Sequence, residues 1–290
     1  INYLSNLSMN QFDKTSIIYE LESRIKKQEK ESIIKTRKRN LLRIAAMIAL
    51  FLGVVYFVNQ DKIDIESKNI VLTTSGGDKI ILDQNTTESD KLEGLASISN
   101  DALVYQKDAN SKSLIKNTIK VPYGKRFKLN LSDGTVVHLN SGSSLTFPVS
   151  FIKGVSREVF VSGEAFFNVA KDPIDAFSVL STGTSVEVYG TRFNLKNYEE
   201  DNFSEVILAE GSLGVKNTLN DSGVTVISPG DRAKLDYSQG EIELSKVNTV
   251  LYTSWIEGRM IFRNENINNL ITKLERIYDV IIINSNKKLN

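Results

Sequence analysis

The sequence predicts a mainly β protein that carries a single N-terminal transmembrane helix and ends in a small β-α-β domain. Three observations lead to this fold class. An apolar run occupies residues 41–58, short alternating segments separated by glycines fill the chain from about residue 60 to residue 246, and helical spacing of apolar residues returns after residue 260. A period of two residues is typical of strands, and a period of 3.6 is typical of helices.

The apolar run reads LLRIAAMIALFLGVVYFV. Eighteen helical residues rise roughly 27 Å, which is close to the hydrocarbon thickness of a bilayer. Arg43 lies near one end of the run, where its side chain can reach the headgroups. Because Lys35, Arg37, Lys38 and Arg39 precede the run, the positive-inside rule places residues 1–40 in the cytoplasm and the bulk of the chain outside.

The cytoplasmic segment, residues 1–40, contains an amphipathic helix. Ile17, Leu21 and Ile25 recur at the helical spacing i, i+4, i+8. One such helix cannot bury its own apolar face, so it must pack on other helices, on a partner or on the membrane. Two interpretations stay open: a linker helix that leads into the membrane span, and a partner-binding face formed by these three residues.

The β region is divided into a linker with the first strands, residues 59–117, and an all-β sandwich or barrel-like domain, residues 118–246. Asp133-Gly134 between two alternating runs predicts a hairpin. The polar residues 84–101 are predicted to be a loop. Further strands are predicted at residues 157–161, 166–169, 177–180, 185–189, 192–195, 204–208, 213–215, 223–227, 233–235 and 242–244.

Residues 247–290 predict a partial β-α-β domain. Strands are expected at 260–262 and 280–283, and the helix between them is expected to begin after a cap at Asn264. The apolar residues of this helix are Ile267, Leu270, Ile271, Leu274, Ile277 and Tyr278. Because the two strands lack partners in the sequence, the chain is expected to be a fragment of a longer protein.

The composition argues against an enzyme and against a bound cofactor or metal ion. The chain has no cysteine and one histidine, His138, which excludes thiol chemistry and disfavours a histidine metal site or a serine triad. Basic and acidic residues number 36 and 35, so nothing indicates nucleic-acid binding. Pattern alone therefore predicts a non-enzymatic binding or sensing domain on a membrane anchor.

A series of short strings, in this order, resembles the FecR family of anti-sigma regulators of the type common in Bacteroidota. The strings are 121–124 (VPYG), 131–140 (LSDGTVVHLN), 143–148 (SSLTFP), 157–159 (REV), 163–169 (GEAFFNV), 188–194 (VYGTRFN), 210–213 (EGSL), 228–230 (SPG) and 255–258 (WIEG). Residues 247–290 are similar to the small domain that follows the FecR domain in these proteins and that is akin to secretin and TonB short N-terminal domains.

The resemblance implies a transmembrane anti-sigma factor of the bacterial inner membrane, with its C-terminal bulk in the periplasm. On the cytoplasmic side the expected partner is an extracytoplasmic-function (ECF) sigma factor. On the periplasmic side it is the signalling domain of a TonB-dependent outer-membrane transporter. The alternative is a membrane-anchored periplasmic carbohydrate-binding or scaffold protein. A membrane-bound hydrolase would need an acid, a base and a nucleophile together, which the sequence does not show.

The resemblance also singles out one peptide bond, because some family members cleave themselves between the glycine and threonine of the Gly-Thr-Arg-Phe string. The matching bond here joins Gly190 to Thr191. The Thr191 hydroxyl would attack the Gly190 carbonyl, and water would open the resulting ester. The competing interpretation is a tight turn between two strands, in which Thr191 is an ordinary strand former.

Overall fold

The structure is a computed structural model that describes residues 19, 23–24, 26–27, 30, 46–53, 68–82, 96–99, 102–106, 115–220, 223–263 and 265–286. The chain divides into two units, Ile1–Asp64 and Ile65–Asn290. In the first unit, residues 46–53 form helix α1, and Ile17, Leu21 and Ile25 lie outside the described residues. No helix in the described ranges is both long and apolar enough to span a membrane.

The second unit is mainly β, as predicted, and consists of two sheets. Sheet A contains, in spatial order, β2 (Lys79–Leu82), β1 (Ile70–Thr73), β5 (Lys116–Lys120), β8 (Ser144–Pro148), β9 (Arg157–Asn168), β10 (Phe177–Ser181), β11 (Thr184–Val188), β14 (Leu213–Asn217) and β15 (Thr225–Ile227). All neighbours are antiparallel except β9 and β10.

Sheet B contains, in spatial order, β3 (Ala96–Ser99), β4 (Ala102–Tyr105), β6 (Phe127–Asn130), β7 (Val136–Leu139), β9, β12 (Arg192–Asn197), β13 (Phe203–Glu210), β16 (Asp231–Asp236) and β17 (Ile242–Lys246). Here β4 and β6 are the parallel pair. The predicted hairpin at Asp133-Gly134 joins β6 to β7 and is confirmed.

Strand β9 belongs to both sheets and divides the fold. Its first half pairs with β8 and β10 in sheet A, and its second half pairs with β7 and β12 in sheet B. In each sheet the strands that precede β9 in the sequence lie on one side of it, and the strands that follow it lie on the other. The sequence pattern predicted two separate strands here, because glycine in a run of strand residues normally indicates a break.

Gly163 is the point at which β9 passes from one sheet to the other. Its φ is +96°, and an added Cβ atom would lie 2.5 Å from the Ser143 hydroxyl and 2.7 Å from the Ser143 Cα. That hydroxyl accepts a hydrogen bond from the Glu164 amide (2.8 Å) and donates one to the Glu164 carbonyl (3.0 Å). Glycine is therefore required both by the backbone conformation and by the close approach of Ser143, the residue before β8.

We expect Gly163→Ala to lower the free energy of unfolding by about 1–3 kcal/mol, because the side chain strains the backbone and displaces Ser143. Urea titration of the purified domain measures this loss. Gly154→Ala is the matched control, since Gly154 also has a positive φ (+78°) but has open space around it. Equal losses in the two variants would show that the contact with Ser143 contributes nothing.

The core lies between the sheets and is built from alternate residues of their strands. On β9, Val159, Val161, Ala165 and Phe167 are all buried. The Phe167 ring stacks on Phe193 with centroids 5.1 Å apart and lies 6.4 Å from Phe177. Phe166, on the opposite parity, is buried on the outer face of sheet B beside a cavity lined by Thr253 and Ile256. Other large side chains that are fully buried are Phe147, Leu72, Leu103, Ile119, Leu129, Leu131, Leu139, Leu145 and Leu195.

The C-terminal part contains a short helix α2 (Val250–Thr253), a 3-10 turn (Ser254–Glu257) and the helix α3 (Ile267–Tyr278). The predicted helix is confirmed, but the flanking strands at 260–262 and 280–283 are wrong. Both segments lack a paired strand in the described part of the chain, and the Ile282 amide donates to the Glu275 carboxylate instead (2.9 Å). Asn266, rather than Asn264, caps α3 by accepting a hydrogen bond from the Asn268 amide (2.8 Å).

The predicted loop at residues 84–101 is wrong for its end, because Ala96–Ser99 form strand β3, paired with β4. These four residues do alternate, but a segment this short is not enough for the pattern to distinguish a strand from a polar loop. Residues 84–95 and 100–101 lie outside the described part.

Candidate functional site

The predicted cleavage position, Gly190-Thr191, lies in the bend between β11 and β12. Gly190 has a φ of +137°, and an added Cβ would lie 2.8 Å from the Lys171 Cα, so the approach of this neighbouring segment requires glycine. Thr191 is buried, and its hydroxyl donates a hydrogen bond to the Ser212 carbonyl (2.9 Å). The Thr191 carbonyl accepts one from the Val169 amide (3.0 Å). Both residues thus have structural roles that do not depend on cleavage.

An open groove of about 730 Å³ borders this bend on the outer side of sheet A. Its lining includes the half-exposed ring of Tyr189 and the exposed Val226, together with Lys171, Glu187 and Lys216. Among the described residues, no carboxylate, histidine or lysine is hydrogen-bonded to the Thr191 hydroxyl. The Thr191 hydroxyl therefore already has a hydrogen-bond acceptor in the folded chain, the Ser212 carbonyl.

A second site lies on the outer face of sheet B, where the C-terminal segment is docked through a chain of polar side chains. Glu164 on β9 accepts hydrogen bonds from the Asn140 amide group (2.8 Å) and from the Asn194 amide group (2.9 Å). The Asn194 carbonyl oxygen in turn accepts one from the indole N–H of Trp255 (3.2 Å), in the 3-10 turn. Each of these four residues lies in or beside one of the strings quoted above, and the fold brings them together.

Arg276 on α3 is held in a corner of the same face, which we call the arginine corner and define as Tyr123, Tyr198, Glu200 and Asp201. Its guanidinium lies 3.8 Å from the centroid of the Tyr198 ring. It donates to Asp201 (2.7 Å) and to Glu200 (3.0 Å), and Glu200 also accepts from the Tyr123 hydroxyl (3.0 Å). An arginine that is both stacked and paired in this way cannot be replaced by lysine without loss of contacts.

The charges of the arginine corner follow from its burial and its partners. Burial alone would raise the pKa of Asp201, but Arg276 and Lys196 outweigh burial and lower it. Burial raises the pKa of Tyr198 well above 10.0, so its hydroxyl stays neutral and donates to the Ser141 carbonyl (2.8 Å). Because the pKa of Asp201 is lowered on folding, its ion pair contributes fully above the ordinary value of 3.8. The contribution is lost as the pH falls through the lowered value.

We call the hydrogen bond between the Trp255 indole and Asn194 the Trp255 anchor. A cavity of about 80 Å³ lies between this anchor and the arginine corner. Its walls include Glu164 and Glu205 from the sheet, and Tyr252 and Phe262 from the C-terminal segment. Glu205 forms an ion pair with Arg232 (2.8 Å), and burial nevertheless raises its pKa. In the described ranges, no three histidine, aspartate or glutamate residues are grouped so that they could hold a metal ion.

The sequence patterns identified the strings, but they did not predict that residues from four of the strings are hydrogen-bonded to one another on sheet B. In the sequence, Glu164 and Trp255 stand out only as members of the strings 163–169 and 255–258. Arg276 was missed, because a charged residue in an amphipathic helix is normally placed on the solvent side. His138 lies on sheet B with its ring 6.4 Å from Phe166, and burial lowers its pKa.

Comparisons with known proteins relate this chain to one protein family. A family model described as FecR protein matches residues 117–214, from β5 into β14. Two crystal structures of a protein from Parabacteroides distasonis assigned as an anti-sigma factor are similar to the chain at 33% sequence identity. Their TM-scores are 0.53 and 0.52; the matches cover 57% and 56% of this chain and 75% and 74% of theirs. No curated protein matches significantly. The chain therefore belongs to the FecR family of anti-sigma factors.

Proposed function

We propose that this anti-sigma factor is a single-pass protein of the bacterial inner membrane that relays a signal from the periplasm to the cytoplasm. In this arrangement residues 41–58 span the bilayer, and residues 1–40 belong to the part that binds an ECF sigma factor. The β-sandwich contacts the signalling domain of a TonB-dependent transporter. The observation that carries the proposal is the order of parts: a basic stretch, an apolar run and then the FecR domain.

Helix α1 supports the membrane assignment. Its large apolar side chains are mostly exposed, with Leu50 at 71%, Phe51 at 67% and Met47 at 65%. A continuous exposed apolar surface is unfavourable in water and is covered in a bilayer by lipid tails. The basic residues before residue 41 then set the direction, since they resist transfer across the membrane.

A fusion experiment tests the topology. A reporter that is active only in the periplasm, fused after residue 60, is expected to be active, whereas the same reporter fused after residue 40 is expected to be inactive. Activity of the residue-60 fusion on the cytoplasmic side alone would contradict the proposed orientation.

Co-purification tests the sigma-factor role. The full-length protein, extracted in detergent from its own cells, is expected to retain an ECF sigma factor. Leu21→Asp should weaken this retention if Ile17, Leu21 and Ile25 form the binding face, and Ser23→Asp, on the opposite side of the same helix, should not. Absence of the sigma factor from the purified complex would favour the carbohydrate-binding or scaffold alternative.

At Gly190-Thr191 we expect no self-cleavage, because the structure engages the threonine hydroxyl with a backbone carbonyl. Purified wild-type protein and Thr191→Ala are therefore both expected to be uncut by mass spectrometry, with intact masses that differ only by the substituted side chain. Two wild-type fragments that meet at this bond, together with an uncut variant, would establish cleavage. The substitution itself should cost about 1 kcal/mol through the lost hydrogen bond.

A further inference from the structure

Helix α3 is attached to sheet B in an unusual manner. Its apolar residues Leu270, Ile271 and Leu274 are only partly buried, and the one buried residue in the helix is Arg276. An amphipathic helix of a globular protein normally docks through its apolar stripe. Here a charged side chain supplies the main contact, so the attachment depends on ionic and stacking interactions more than on hydrophobic burial.

The arginine corner surrounds Arg276 on several sides. The Arg276 side chain is 5% exposed and that of Asp201 is 12% exposed, so this ion pair is well shielded, whereas Glu200 is 47% exposed. Asp201 also pairs with Lys196 (2.9 Å), which fixes it in position without α3. The loop between β5 and β6 adds a backbone contact, because the Gly124 amide donates to the Arg276 carbonyl (2.9 Å). The arginine corner thus belongs to the sandwich, and its Asp201 is held in position without α3.

The connection to α3 is exposed. Between the 3-10 turn and the helix, Gly258, Arg259, Ile261, Phe262 and Arg263 are all exposed. This connection forms no strand in the described part of the chain, whereas Trp255, just before it, is anchored to Asn194. The Gly258 and Arg259 amides donate to the carbonyls of Trp255 and Ser254, so the turn ends at residue 259 and the chain can pivot after it while the Trp255 anchor and the sheets stay in place.

We propose that the arginine corner is a recognition site for an arginine on a helix, and that α3 occupies it as a reversible strap. Residues 265–279 detach as one unit when the contacts of Arg276 are lost, while the sandwich and the Trp255 anchor stay folded. Detachment uncovers Tyr198, Asp201 and the wall of the cavity that contains Glu205. Once detached, α3 also loses its helical structure, since a helix of this length is marginal in water by itself.

Hydrogen exchange measured by mass spectrometry on the whole chain tests the strap. Arg276→Ala is expected to speed the exchange of amides in 268–278 by about tenfold or more, because breaking a shielded ion pair is costly. Exchange in β9, β12 and β13 should not change. Arg259→Ala is the matched control, since Arg259 is an exposed arginine of the same segment and, within the described ranges, its ion pair is with the exposed Glu257.

Asp201→Asn is a second variant, which changes the sandwich side of the ion pair. It removes the charge of Asp201 and nearly conserves the shape of its side chain. It should speed exchange in 268–278 in the same way. The proposal is overturned if both variants leave exchange in α3 unchanged, or if they speed exchange in the β strands as much as in α3. The second outcome would mean that α3 and the sandwich unfold together. Neither result bears on sigma-factor binding, so the two proposals are tested separately.

Discussion

Replacing Phe167 by alanine is expected to lower the free energy of unfolding by about 3–5 kcal/mol. The ring is fully buried at the middle of the core, stacked on Phe193 and close to Phe177, and it comes from the strand that both sheets share. Its removal leaves a cavity that neighbours from two sheets cannot close, because β9 is fixed by strands on both sides.

Chemical denaturation of the purified domain measures this loss. Phe160→Ala is the matched control: it makes the same change on the same strand, but its side chain points outward and is 44% exposed. The control should lose about 1 kcal/mol or less. Similar losses for the two variants would mean that the centre of the core is not at Phe167.

Arg157→Ala is expected to cost a similar amount, about 3–5 kcal/mol, through a different mechanism. Arg157 is 4% exposed and pairs with Asp133 (2.8 Å), which lies in the turn between β6 and β7. It also donates to the carbonyls of Asp175 (2.8 Å) and Ala170 (3.2 Å). Without the arginine, the shielded Asp133 carboxylate loses its counter-ion and keeps only neutral donors from Thr135, and the two carbonyls lose the guanidinium as a donor.

The adjacent residue of β9 supplies the control for Arg157. Glu158 forms an ion pair with Lys116 in which both side chains are nearly half exposed, so Glu158→Ala should cost no more than about 1 kcal/mol. Thermal unfolding followed by circular dichroism compares the two variants. A loss for Arg157→Ala as small as the loss for Glu158→Ala would show that the buried pair is dispensable.

Local patterns were sufficient for most of the sandwich. Alternating residues and turn glycines predicted strands such as 177–180, 192–195 and 204–208, all of which lie within observed strands. The patterns failed where geometry depends on distant parts of the chain. Gly163 looked like the end of a strand, and its actual role depends on Ser143, some twenty residues earlier.

Local sequence patterns could not predict the docking site on sheet B either, because its residues come from distant parts of the chain. Glu164 and Asn194 meet because β9 and β12 pair in a particular register, and Trp255 reaches them only because the chain folds back over the sheet. Arg276 has the ordinary helix spacing of a solvent-facing residue. Only the acidic pair Glu200-Asp201, presented by the turn after β12, shows that it faces inward.

The central position of β9 has a consequence for how the protein forms during synthesis. All strands before β9 lie on one side of it, so the first half of the sandwich can be completed as soon as residue 168 has emerged, before any later strand exists. At that moment β9 presents an open edge in both sheets, and β10 and β12 are added to it as they arrive. An open edge is also where unfinished chains pair wrongly with one another. A pause in elongation shortly after residue 168 would therefore prolong the interval in which these edges are open to wrong pairing.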